Sequence, residues 1–393
     1  MIQARAPAAH PKLALVHDWL TGMRGGERCL EVFAALLPDA PILTLLHEPG
    51  SVSQTIERHR IVTSPLSRWR FLRKRYRRLL PLFPWAVRQL PGTDYDLLIS
   101  LSHCAAKAVR RREGTRHICY CFTPARYLWD HTETYLDRSR SSATVRFAAR
   151  RFLPNLRRWD QRTAASVDRF IAVSRYVADR IQRIYGREAE VIYPPVDTQR
   201  FRIAAPQDVG SHYLMVTALA PYKGVDLAIE AFKRSGRSLR IIGSGEDEPR
   251  LRQLAPANVE FRGWRSDVEV ARELAQCRAF VLPCEEDFGI TPLEAMAAGR
   301  PVIALNRGGA CETVIAPGHE TQSATGIFFD EPSPEALVDA ITRMESEHQD
   351  FDAAELRRHA ETFDISVFVA RIRAVLESEG VELPRTALAT RSH

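Results

Sequence analysis

Short apolar runs alternate with longer amphipathic stretches along the whole chain. Residues 13–16 (Leu-Ala-Leu-Val) predict a first strand, a Gly-rich turn follows, and residues 27–37 predict a helix. Further strands are expected at 42–46, 97–100, 117–121 and 170–173, and residues 191–193 close this half. The segment Tyr193-Pro-Pro-Val-Asp197 and the polar stretch 204–212 read as a linker. The pattern then restarts, with strands at 213–218, 239–242, 259–261, 279–282 and 301–304 and helices at 224–234, 334–345 and 365–379. Alternation of this kind predicts parallel sheets with helices on both faces. The fold class expected is α/β, with two doubly wound Rossmann-like domains facing across a deep cleft. Open sheets of this type bind ligands outside the carboxyl ends of their strands.

The length of 393 residues agrees with two domains, because a single core rarely grows past about 250–300 residues. With 45% hydrophobic and 26% charged residues, the composition is that of a folded globular protein and excludes disorder across any large part. The net charge of +7 points to a polyanionic partner and leaves open whether that is nucleic acid, an anionic membrane or a phosphate-bearing substrate. Seven scattered cysteines include no CxxC pair, which argues against a zinc or redox site and for a reducing compartment. Cys119 and Cys121 flank Tyr120 on one face of a strand and are expected in the core. Residues 1–10 lack an apolar signal core, and the run at 13–16 stops at His17-Asp18. No stretch reaches the ~18 apolar residues that span a bilayer, so a cytoplasmic location is expected.

The most informative string is Glu286-Asp-Phe-Gly-Ile-Thr-Pro-Leu-Glu294-Ala-Met-Ala-Ala-Gly-Arg-Pro301. It follows a buried strand and opens a helix. Gly289 lets the backbone approach a ligand closely, and the helix beginning near Pro292 aims its free N–H groups at the same place, which makes an anion site. Two glutamates bracket this turn with seven residues between them, so they can grip two ends of one extended ligand. The bland alternative is a strand-to-helix turn with solvated acids.

The string resembles the E-x7-E motif of family 4 retaining glycosyltransferases, which have the GT-B fold. The resemblance implies that Glu286 binds hydroxyls of a donor sugar, that Glu294 binds the ribose of the nucleotide, and that the backbone amides of Phe288, Gly289, Ile290 and Thr291 hold sugar and diphosphate. Pro221-Tyr-Lys-Gly-Val-Asp226 resembles the family's phosphate-binding turn, with Lys223 as the lysine that neutralises the departing diphosphate. Arg24-Gly25-Gly26-Glu27 resembles its Gly-Gly turn. Ile242-Gly243-Ser-Gly245 and Arg262-Gly-Trp264 resemble the segments that line the nucleotide pocket, and Arg307-Gly-Gly309 a loop after the next strand. In the first half, Ile118-Cys-Tyr-Cys-Phe122-Thr-Pro-Ala-Arg126-Tyr127-Leu-Trp129 and Ser174-Arg-Tyr-Val177 are similar to a mannosyltransferase subgroup of bacterial surface polysaccharide assembly. His103, Phe122, Arg126, Tyr127 and Ser174 are the implied acceptor-side residues. The implied organisation is an N-terminal acceptor-side domain at 1–200, a nucleotide-sugar-binding domain at 201–365, and at 366–393 a helix crossing back toward the first domain and a flexible tail.

Two positions depart from the family. Phe122 stands where the subgroup commonly has the His of a His-Thr-Pro string, with His17 or His103 as candidates for its role. Ala218 stands where the wider family has an Arg five residues before the phosphate lysine, which leaves more of the phosphate charge to Lys223 and helix N-termini. Asp94-Tyr-Asp96 has the form of a DxD metal motif but is better read as turn carboxylates. Gly243-Ser-Gly245 lacks the third glycine of a dinucleotide fingerprint. His103 and His117, each taken alone, read as structural.

Two basic stretches interleave cations with aromatic rings. The first is Arg68-Trp-Arg-Phe-Leu-Arg-Lys-Arg-Tyr-Arg-Arg-Leu-Leu-Pro-Leu-Phe-Pro-Trp85, and the second includes Arg146, Arg150, Arg151, Arg157, Arg158 and Trp159. Both suit an anionic bilayer interface, or a solvated helix with some core aromatics. No helix-turn-helix or RNA-binding motif accompanies them, so nucleic acid is not expected as a partner.

The reaction implied is transfer of a hexose, with retention, from a nucleotide-sugar donor to a polyprenyl-linked saccharide acceptor. Mannose from GDP-mannose is favoured, by resemblance only. The expected mechanism is front-face, without metal or cofactor, on an enzyme peripheral at the cytoplasmic (inner) face of the plasma membrane. The alternatives are a sugar-nucleotide 2-epimerase of similar fold and a catalytically weakened nucleotide-sugar-binding protein.

Overall fold

The structure is a computed structural model that describes residues 11–69, 76–130, 143–347 and 350–383. The chain divides into two compact units, one formed by residues 1–193 and 368–393 and the other by residues 194–367.

The first unit is built on a seven-stranded sheet in the order β3-β2-β1-β4-β5-β6-β7. Its strands are β1 (Leu13–His17), β2 (Ile42–Thr44), β3 (Ile61–Thr63), β4 (Leu97–Ser102), β5 (Arg116–Cys121), β6 (Arg169–Ala172) and β7 (Ala189–Val191), all paired in parallel. Central strands carry apolar residues on both faces because helices cover both. β4 is buried at every position, and in β5 only Arg116 is exposed. The order reverses between β1 and β4, so the chain leaves the sheet centre in opposite directions on either side of that point. Such a reversal is where open sheets of this kind bind ligands, at the carboxyl ends of the two strands.

The second unit repeats the plan with six parallel strands in the order β10-β9-β8-β11-β12-β13. These are β8 (Tyr213–Val216), β9 (Leu239–Ile242), β10 (Val259–Gly263), β11 (Phe280–Leu282), β12 (Val302–Leu305) and β13 (Gly326–Phe329). Here the reversal lies between β8 and β11. One core joins Tyr213, Met215, Ile241, Val281 and Ile303 from the strands to Phe232, Leu337 and Ile341 from the Val225–Ser235 and Pro334–Ser346 helices.

Several expected boundaries move. β2 ends at Thr44, because the backbone of Leu45 and Leu46 turns to bond Asp18 and Leu20 rather than continuing the ladder. β7 begins at Ala189, two residues before the run expected at 191–193. The first helix begins at Gly25, so Gly25 and Gly26 are its first two residues and not a turn before it. β3 and β13 were not expected. Both are short edge strands, and β3 is partly exposed along its length.

Candidate functional site

In the second unit, the loops after β8 and β11 meet at the point where the strand order reverses. After β8 the chain turns through Pro221–Lys223, and Gly224 takes the left-handed conformation (φ 65°) that starts the Val225–Ser235 helix. A side chain at Gly224 would meet the Pro283 carbonyl oxygen at 2.7 Å, so glycine lets the β8 and β11 loops close together. This puts the Lys223 ammonium in a hydrogen-bonded ion pair with Glu286 Oε1. The side chains are 16% and 25% exposed, which keeps the pair reachable from solvent. Burial works to lower the lysine pKa, and the adjacent Glu286 carboxylate overrides it, so the ammonium is held above its ordinary range.

Three residues beyond Glu286, Gly289 (φ 87°) caps the Ile290–Ala297 helix. Phe288 is buried, with its ring 5.9 Å from that of Phe363. Glu294 lies in the body of the same helix, and Ile290 and Thr291 form its first turn, where N–H groups lack helical acceptors. The loop from Glu286 is fixed from behind by Gly308 and Gly309. Glu286 forms an isolated parallel bridge with Gly308, and the Gly309 N–H donates to the Glu286 carbonyl at 2.9 Å. A cation, a carboxylate and a row of backbone amide donors therefore converge within one unit.

The other positions expected on the donor side follow β9 and β10, the strands beyond β8 in the sheet. Gly243 follows β9 in an extended-left conformation (φ 136°), with its N–H donating to the Gly263 carbonyl at 2.9 Å. Trp264 follows β10 and is 72% exposed, a large aromatic surface open to stacking.

In the first unit, the helix starting at Gly25 brings its first turn against His17 of β1 and Phe122, which follows β5. A Cβ on Gly26 would stand 3.4 Å from the Phe122 ring and 3.5 Å from that of His17. Glu27 is buried in the same turn and accepts the Arg24 N–H at 3.1 Å. Burial works to raise the Glu27 pKa, but the neighbouring His17 overrides it and holds it below the usual carboxylate range. His103, His17 and Phe122 form a ring cluster with centroids 6.3–6.4 Å apart. The Phe122 loop is held by Arg180, which is fully buried and donates to Thr123 Oγ1 and the Pro124 carbonyl and pairs with Asp130.

The remaining acceptor-side candidates are more structural. Arg126 and Tyr127 open the Arg126–Trp129 helix, and the Tyr127 hydroxyl bonds Cys104 Sγ at 3.0 Å. Ser174 is fully buried, and its hydroxyl accepts the Val177 N–H as the cap of the Arg175–Tyr185 helix. His117 is buried against Ser100 Oγ at 2.8 Å, and burial pushes its pKa down to about 3. Asp96 accepts the Lys12 N–H at 3.0 Å and pairs with Arg112. Among the described residues no group of three His, Cys, Asp or Glu stands ready to hold a metal ion.

Sequence reasoning missed Asp18. It is buried beneath His103 and bonded to three backbone N–H groups, yet in the sequence it only marks the end of an apolar run. The signal was its place directly after a central strand. Of the first basic stretch, residues 70–75 lie outside the described residues. Trp69, Leu82 and Trp85 are about half exposed, at 50%, 47% and 48%. In the second stretch Arg146 and Arg150 lie among positions whose side chains are not described.

Residues 23–200 match the family described as Glycosyltransferase Family 4, and residues 198–379 match Glycosyl transferases group 1. Over 222 residues the chain is 32% identical to a GDP-mannose-dependent alpha-(1-6)-phosphatidylinositol monomannoside mannosyltransferase of Mycobacterium tuberculosis, covering 49% of this chain and 56% of that protein. Over 295 residues it is 23% identical to an alpha-1,3/1,6-mannosyltransferase of Mus musculus, covering 65% and 66% of the two chains. At 30–32% identity the chain spans about half the length of the curated relatives it matches. Among solved structures, HepE of Anabaena in complex with UDP-glucose superposes with a TM-score of 0.68 at 21% identity, covering 94% of this chain and 100% of that one. Sucrose-phosphate synthase of Thermosynechococcus elongatus gives 0.70 at 16% identity, with 94% and 98% covered. At these identities the likeness is one of fold, and that fold is GT-B.

Proposed function

Because this chain belongs to the family 4 glycosyltransferases, we propose that it transfers a hexose, with retention, from a nucleoside-diphosphate sugar to a lipid-linked saccharide. The observation that carries this reading is the Lys223–Glu286 pair at the mouth of the Gly289-capped helix. Without donor the two charges neutralise each other. A nucleotide sugar offers each a better partner: phosphate oxygens for the ammonium, hydroxyl donors for the carboxylate. Catalysis then rests on positioning and on stabilising the diphosphate as negative charge develops, with the acceptor attacking on the leaving-group side. Glu294 is assigned to the ribose. GDP-mannose is the donor favoured, supported by the names of the mannosyltransferases to which the chain is similar. Neither family match favours the epimerase or the weakened binding protein.

The test is a panel of GDP-mannose, UDP-glucose, UDP-galactose and ADP-glucose with bacterial lipid extract, read by mass spectrometry of the lipid fraction. GDP-mannose is expected to add one hexose to a polyprenyl-linked saccharide, in EDTA as well as in Mg²⁺. Labelling from a uridine donor alone overturns the donor assignment, and loss of all activity in EDTA overturns metal independence.

The lipid-linked acceptor is supported by the first unit. Phe83 is buried and its ring lies 6.0 Å from that of Trp19, whose ring in turn lies 4.4 Å edge-on from that of His103. The exposed Leu82 and Trp85 flank Phe83. An apolar surface inside the basic stretch is thus packed through two rings to the candidate acceptor site. No helix among the described residues is long and apolar enough to cross a membrane. Each basic residue near an anionic surface contributes about 1 kcal/mol, screened as salt shortens the Debye length below about 10 Å. Wild-type protein is expected to sediment with anionic rather than zwitterionic vesicles and to release partly at high salt. Replacing Arg73, Lys74, Arg75, Arg77 and Arg78 by Ser is expected to remove that preference and to slow transfer to lipid acceptor more than to a soluble analogue. Equal vesicle binding by both proteins would refute the membrane assignment.

A further inference from the structure

Asp18 and His103 follow β1 and β4, the two strands between which the first sheet reverses its order. Asp18 is fully buried. Its Oδ1 accepts the N–H groups of Ala105 at 2.6 Å and Ala106 at 2.7 Å, and its Oδ2 accepts that of His103 at 2.7 Å. The same Oδ2 lies 3.1 Å from His103 Nδ1. An oxygen that already accepts a backbone N–H repels a second lone pair at this distance and attracts an N–H, so the proton is favoured on Nδ1 and the lone pair on Nε2. Burial holds the His103 imidazole below its ordinary pKa, opposed by Asp18, so the ring is neutral at pH 7. The His103 side chain is 31% exposed, while its anchor is sealed.

The neighbouring imidazole cannot do the same. His17 Nδ1 bonds the Leu101 carbonyl at 3.1 Å, and Nε2 is buried, without a hydrogen-bond partner among the described residues and 3.9 Å from Glu27 Oε1. A ligand therefore meets His103 and not His17. What it meets is a neutral acceptor framed by the rings of Trp19 and Phe122. A lone pair repels phosphate oxygens and attracts a hydroxyl, and flat rings suit the C–H face of a sugar.

We propose that Asp18 is a positioning residue that locks His103 in the Nδ1–H tautomer, so that His103 Nε2 accepts a hydrogen bond from a sugar hydroxyl at the reacting centre. The proposal rests on the glycosyl-transfer reading above. It gives His103 a defined atom and a defined direction of donation, and it brings into the site a residue that touches no substrate.

Two replacements separate this from a purely structural role. In His103→Asn the amide nitrogen takes the place of Nδ1 and keeps the contact with Asp18, but nothing stands at Nε2. In His103→Gln a polar atom stands near Nε2, but the side-chain contact with Asp18 is lost. With GDP-mannose as donor, His103→Asn is expected to lose about 100-fold in kcat at near wild-type Tm and unchanged GDP affinity. His103→Gln is expected to be more active than His103→Asn by about tenfold, although less stable. Asp18→Asn is expected to lower kcat in the wild-type background and to change it little in the His103→Asn background. Acceptor-free hydrolysis of the donor runs alongside. A parallel loss there places the hydroxyl on the donor sugar, and a loss confined to transfer places it on the acceptor. An active wild type with His103→Asn equal to or better than His103→Gln overturns the proposal while leaving the transfer reading intact. A wild type that turns over no nucleotide sugar overturns both.

Discussion

Replacing Glu286 by Ala is expected to reduce turnover by about 10²–10³, the usual consequence of removing one positioned contact made in the transition state, or about 3–4 kcal/mol. Two effects combine. The donor sugar loses the carboxylate proposed to orient its hydroxyls. Lys223 loses the counter-charge that now keeps its ammonium above the ordinary range against the opposing effect of burial. With that carboxylate gone, burial is opposed only by the weaker influence of Cys284 and Tyr222, and the lysine pKa drops. The free enzyme then holds a half-buried cation without its partner, which costs stability. The bound state regains some of this, because the diphosphate takes over the cation. GDP affinity should therefore hold or rise while kcat falls. Glu286→Gln separates the two effects, since it keeps an oxygen for the sugar but not the charge for Lys223. Isothermal titration with GDP alongside turnover provides the measurement. Near-normal kcat in Glu286→Ala would refute the assignment of this carboxylate to the sugar.

The sequence singles out this turn because its pattern is local. Glycine, proline and paired carboxylates at fixed spacing, between a buried strand and a helix, can be read without the rest of the chain. The strand-order reversal adds what the sequence could not show. Lys223 and Glu286 are far apart in sequence and meet because β8 and β11 are neighbours in the second sheet. Asp18 is the counterpart in the first sheet. The partners of its carboxylate lie beyond β4, so its importance depends on the parallel pairing of β1 with β4, which a linear pattern does not reveal. Short edge strands failed for a different reason. Ile61–Thr63 and Gly326–Phe329 are too short to display a period, and they become strands only because a neighbour offers its edge. Ser174 shows what the sequence left out: the hydroxyl of a motif residue expected near the acceptor accepts the Val177 N–H and caps a helix.

Gly308 and Gly309 carry the second large prediction. Arg307-Gly-Gly309 stood out in the sequence only as a loop after a strand, yet its backbone lies directly on that of the donor loop. A Cβ at Gly309 would stand 2.3 Å from Phe288 Cα and 2.7 Å from both its nitrogen and its oxygen. The backbone of Gly309 is otherwise ordinary, at φ −65°. The demand for glycine is therefore steric and comes from the neighbouring chain. Gly309→Ala would push the Phe288 backbone away by about an ångström, and a misplacement of that size can cost about 10²-fold in rate. Because Phe288 begins the run of amides assigned to sugar and diphosphate, the loss should appear in kcat/KM for the donor and in GDP affinity together. Overpacking adds a destabilisation of about 1–3 kcal/mol. Gly236→Ala is the control. It lies in the same unit at φ 68°, and a Cβ there would meet nothing within 4 Å, so it faces only the left-handed backbone penalty of about 1–2 kcal/mol. The two variants are expected to lose similar Tm but to differ about 100-fold in donor turnover measured well below either transition. Equal turnover would show that the contact between Gly309 and Phe288 supports the fold alone and does not shape the donor loop.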